Sequence, residues 1–94
     1  MADYERSTVL PARDVFALAE QIFAERAELA PLKSDRHHAT YTGAEGTVDL
    51  EAHRHGPYLA VTVRTDRLRT SKVDAVVRYF MNQLPYQAGD PPRE

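Results

Sequence analysis

Apolar and polar residues alternate on both sides of Gly56-Pro57. Val48, Leu50 and Ala52, then Leu59, Val61 and Val63, fall on one side; Asp49, Glu51, His53 and His55, then Tyr58, Thr62 and Arg64, fall on the other. A period of two residues predicts a half-buried antiparallel hairpin. With Gly56 and Pro57 as the two loop residues, Leu50 lies opposite Val63 and Asp49 opposite Arg64, so one register pairs both faces sensibly.

Elsewhere the period changes. Residues 4–10 read as a strand, with Thr8, Val9 and Leu10 ahead of Pro11. Pro11 suits a helix start, and Asp14 stands where the helix dipole favours a carboxylate. From Ala12 to about Ala30, Val15, Leu18, Ala19, Ile22, Phe23 and Leu29 recur at three and four, which predicts a helix stopped by Pro31. Residues 33–36 read as a connection, and residues 38–42 as a strand. Gly43-Ala44-Glu45-Gly46 is a turn that would pair Tyr41 with Val48 and Ala39 with Leu50. Ser71 is a candidate N-cap with Asp74 three residues on, and Val73, Val76, Val77, Phe80, Met81 and Leu84 form the stripe of a last helix ended by Pro85.

The expected fold class is α+β, in the order β-α-β-β-β-α: a four-stranded antiparallel sheet with both helices on its apolar face, leaving the other face open. Residues 1–86 would form one domain and residues 87–94, with Gly89, Pro91 and Pro92, a disordered tail.

Composition narrows the function classes. The chain has 94 residues, enough for one thin core. Without cysteine it has no disulfide, thiolate ligand or thiol nucleophile. A formal charge of -2 and a pI near 6.1 argue against nucleic acid as a partner. Protonating all four histidines would move that charge to +2. There is no signal peptide and no apolar run near the ~18 residues of a membrane span, so the expected compartment is the cytoplasm. No cofactor is implied.

The segment Tyr4-Glu-Arg-Ser-Thr-Val-Leu-Pro-Ala-Arg-Asp-Val-Phe-Ala-Leu18 resembles the opening of the START-like, or polyketide-cyclase-like (SRPBCC), helix-grip superfamily. There a first strand ends in a small-or-proline segment and a helix opens on an apolar-aromatic pair, here Val15-Phe16. A C-terminal amphipathic helix after a strand meander is similar too, although members have more strands and a longer last helix. The resemblance implies a helix-grip or TBP-like fold and an apolar small molecule held between the sheet and the last helix, with Phe16, Phe23, Leu50, Val61, Phe80 and Met81 as its lining. The same six residues would equally make a dry core, and a pocket of about 300 Å³ or more would remove most of the packing of so small a domain. A second likeness, in length, element order and the spaced Gly43 and Gly46, is to small proteins associated with polyhydroxyalkanoate granules.

Three clusters carry candidate chemistry. His53 and His55 share a strand face and His38 would lie near Glu51, a set compatible with a metal ion or with a solvated face of charge pairs such as Asp49 with Arg64. Arg67, Arg69 and Lys72 surround the start of the last helix, where they could hold an anion or be balanced by Asp66 and Asp74. Ser34, Asp35, His37 and His38 include nucleophile, acid and base types, but adjacent residues cannot aim at one another as a triad. Arg26 falls on the first helix's stripe, where its head would snorkel, and Tyr79 and Tyr86 flank the last helix. The reading that follows is a small binding or assembly domain, a homodimer using its open sheet face or a helix surface, with an apolar small molecule as a ligand; the alternatives are a protein similar to those associated with polyhydroxyalkanoate granules, or a metal-dependent enzyme built on His53 and His55.

Overall fold

A computed structural model describes residues 2–68 and 70–86. Its elements are β1 (Ala2–Thr8), α1 (Ala12–Ala27), β2 (Ala30–Ser34), β3 (His38–Gly43), β4 (Gly46–His55), β5 (Tyr58–Thr65) and α2 (Lys72–Asn82). The fold is α+β, with an antiparallel sheet in the order β1-β5-β4-β3-β2. It has five strands, not four. The added strand is β2, in the segment expected to finish a helix and then connect.

The central pairing follows from residue chemistry as expected. Leu50 pairs with Val63, Asp49 with Arg64, Tyr41 with Val48 and Ala39 with Leu50. Gly56 takes φ +60 ahead of Pro57, whose ring fixes a negative φ, which is the sign pattern of a type II′ turn. The other turn is tighter than four residues, because pairing continues to Gly43 and Gly46.

Helix α1 stops earlier than its composition predicts. Glu28 adopts a left-handed conformation at φ 56 and donates its backbone N–H to Phe23, and Leu29 donates to the same carbonyl. Leu29 is then buried from outside the helix, while Ala30–Ser34 runs fully exposed along the sheet edge. Pro31 and a bulge before Lys33 blunt that edge against further pairing. Ser71 caps α2, its hydroxyl accepting the Asp74 N–H at 3.1 Å, and α2 ends at Asn82 rather than Leu84.

The space between helices and sheet is filled by rings. Phe23 meets Tyr41 edge-on at 5.1 Å and Phe80 at 5.3 Å. Around them Val15, Leu50, Val61, Val63, Val73 and Val77 have no exposed surface. Of the six residues assigned as ligand lining, Phe23, Leu50, Val61 and Phe80 are wholly buried in this core, Met81 is buried, and Phe16 packs at its margin. The segment 87–94, expected to be disordered, lies outside the described residues.

Candidate functional site

With both helices on one side, the opposite sheet face is polar. Strand register writes it as rows. One crosses all five strands as Lys33, Thr40, Asp49, Arg64 and Asp3, and the next reads His38, Glu51, Thr62 and Glu5. Parity sends all nine side chains to the uncovered face.

The first row is internally bonded. The Thr40 hydroxyl donates to Asp49 at 2.7 Å, and His38 Nε2 stands 3.6 Å from the same oxygen. Arg64 does not pair with Asp49 as charge alone suggested; its Nε lies 3.9 Å from Asp3. The second row is less compensated. Glu51 is half-buried and its side chain, like that of Lys33, forms no hydrogen bond or ion pair among the described residues.

These residues frame a recess of about 220 Å³ lined by Lys33, His38, Thr40, Asp49, Glu51, Thr62 and Arg64. Beside it, Asp35, Arg36, His37, His38, Glu51 and His53 line a shallower one. There the His37 and His53 rings stack at 5.6 Å, and the Asp35 carboxylate accepts the His37 backbone N–H at 2.9 Å. That bond holds the Asp35 carboxyl below its usual pKa. Asp35 therefore serves a turn rather than a triad.

The histidines assigned to metal are only partly brought together. His38 sits opposite Glu51 as expected, His53 lies on His37, and His55 stands exposed beside the Gly56 turn. Among the described residues no group of three His, Asp or Glu side chains could hold a metal ion. In the anion cluster, Arg67 Nε donates to the Glu45 carbonyl at 2.9 Å and lies 3.6 Å from Asp66, securing the β3–β4 turn. Lys72 is exposed, and Arg69 lies outside the described residues.

Asp74 has no exposed surface, yet it accepts the Tyr4 hydroxyl at 2.8 and 3.0 Å and Arg78 Nε at 3.0 Å. Sequence reasoning missed this constellation. Its signals were the four-residue spacing of Asp74 and Arg78 and the parity of Tyr4, which turns it to the helical side of β1. Nearby, the guanidinium of Arg26, an exposed residue, lies 3.8 Å above the Tyr79 ring in a cation–π contact. Tyr86 stacks on Tyr58 at 4.7 Å.

No helix is long and apolar enough to cross a membrane among the described residues. Comparison of the chain with protein-family models, with curated proteins and with solved structures finds no match.

Proposed function

We propose that the chain is a small binding domain whose recognition surface is the open sheet face, and that its ligand presents an ammonium or guanidinium group beside a carboxylate. The observation that carries this reading is the recess over β2 to β5, where Glu51 and Lys33, of opposite charge, both lack a partner among the described residues. Neither charge has to break an existing side-chain contact to meet a ligand, so each is open to a charge-assisted hydrogen bond. The helix-grip likeness of the N-terminal segment agrees with a binding role, but the apolar lining it implies is packed ring against ring, so a polar ligand on the outer face fits better. Titration calorimetry with free amino acids and short basic peptides tests the reading. Binding that weakens in Glu51→Gln and in Lys33→Met supports it; heat that is absent, or unchanged in both variants, refutes it.

Self-association through the same face meets a symmetry problem. A two-fold axis along β4, the middle strand, would set Asp49 and Glu51 against their own copies. A homodimer is better served by Leu32, 64% exposed on the edge strand β2. Pro31 and the bulge keep that edge from extending the sheet, so the contact would be between side chains. Light scattering decides: a dimer that dissociates in Leu32→Asp supports it, and a monomer at all concentrations removes it.

A further inference from the structure

A second surface, on the helical side and independent of the sheet face, has the construction of a ligand site. A groove of about 550 Å³ runs along α2 against β1, lined by Tyr4, Ala75, Arg78, Tyr79, Met81 and Asn82. Behind two of these residues is Asp74, wholly buried, receiving the Tyr4 hydroxyl and Arg78 Nε. An arginine held through Nε by a buried carboxylate has lost much of its rotamer freedom and keeps its two terminal amino groups for another acceptor. The Arg78 side chain remains 54% exposed at the groove wall.

We propose that this groove binds a small ring-bearing carboxylate, with Arg78 contacting the carboxylate and Asp74 acting as a positioning residue. Because Asp74 and Arg78 together are formally neutral, donor geometry rather than net charge selects the ligand. The Arg78 fork and the Asn82 amide supply donors suited to a planar oxyanion. Arg26, seated on the Tyr79 ring, adds the nearby positive charge. The Tyr79 ring and the Met81 thioether, which together with Ala75 form the less polar part of the wall, suit a flat apolar body.

The test is an NMR titration of the full chain, labelled with nitrogen-15, using benzoate, acetate and inorganic phosphate as separate probes. Benzoate is expected to give saturable shifts at Arg78 Nε–H and at the Tyr79 and Asn82 amides, with acetate and phosphate weaker. Arg78→Lys keeps the charge but loses the fork, and should weaken benzoate by about ten-fold or more; Arg13→Lys, on an exposed arginine of α1, should not. In Asp74→Asn the Arg78 Nε–H resonance should move before any ligand is added, with weaker benzoate binding. Should that variant fail to fold, Asn82→Ala carries the test, since it leaves the bonds of Tyr4 and Arg78 to Asp74 in place and should still weaken benzoate. Absence of benzoate shifts, equal response to all three probes, or benzoate affinity unchanged in Arg78→Lys would each overturn the proposal.

Discussion

The Tyr4 hydroxyl donates to both carboxylate oxygens of Asp74, at 2.8 and 3.0 Å, tying the first strand to the last helix across 70 positions of chain. Asp74 has no exposed surface, so no water replaces a donor that is removed. Tyr4→Phe, which deletes one oxygen and keeps the ring, is expected to cost about 1–3 kcal/mol. Urea denaturation measures it. A midpoint shift too small for that range would mean that Arg78 alone satisfies the carboxylate.

Whether the interior is a core or a ligand chamber is decided by truncating Phe80. In contact with Phe23 and with no exposed surface, it should cost about 3–5 kcal/mol as Phe80→Ala, a large share of the ~5–15 kcal/mol expected for the whole domain. A residue lining an empty chamber would cost less, because fewer contacts are lost. Fatty acids and aromatic polyketides should leave the wild-type melting temperature unchanged.

The glycines at the two turns differ in what a methyl group would meet. At Gly46, with φ +145, an added Cβ would come within 2.7 Å of Arg67 Nε and 3.0 Å of Asp66 Oδ1; at Gly56, with φ +60, it meets open space. Gly46→Ala should therefore destabilise more than Gly56→Ala, which pays only the left-handed backbone penalty of about 1–2 kcal/mol. Gly56→Asn should recover part of that loss. Thermal melts of the three variants give the order.

Glu28 makes the reverse prediction. It occupies the left-handed region at the end of α1 with no compensating side-chain bond among the described residues. Glu28→Gly should stabilise by up to about 1 kcal/mol, the relief of strain exceeding the entropy glycine adds to the unfolded chain. Chemical denaturation with an unchanged slope would confirm it.

Burial pushes the Tyr41 hydroxyl up to about 12, with the Glu20 carboxylate acting in the same direction. The folded state thus favours the neutral phenol. The stability this contributes is complete below the unfolded pKa near 10 and is lost as pH rises from there through about 12. Tyr58 is also raised, by the neighbouring Tyr86 hydroxyl. Phenolate absorbance in an alkaline titration should show a late step for Tyr41, together with loss of near-ultraviolet circular dichroism. In Tyr41→Phe that late step should vanish.

The central hairpins were legible because two signals agreed. Alternation set which residues face the core, and Gly56-Pro57 and Gly43 to Gly46 set the register, so Asp49, Glu51 and His53 could be assigned to the open face from spacing alone. Strand β2 was not legible. Ala30-Pro31-Leu32-Lys33-Ser34 has no alternation, one proline and no β-branched residue, and Leu29 prolongs the helical stripe although it packs from outside the helix. Glu28 gives no glycine signal for the stop. Without β2 the recess could not be anticipated, since Lys33 supplies its cation. The Tyr4–Asp74–Arg78 constellation needs two elements 70 positions apart to be set side by side, which local periodicity does not report.

Strand β1 fits along β5, and the carbonyl of Pro85 receives both the Thr8 hydroxyl and the Val9 amide. During synthesis the seven residues of that strand must therefore wait, unpaired, until β5 has emerged, and Thr8 until Pro85 has. High contact order of this kind slows folding and lengthens the interval in which β5 offers a bare edge to neighbouring nascent chains. A circular permutant that moves β1 behind α2 would shorten the wait and should fold faster at similar stability.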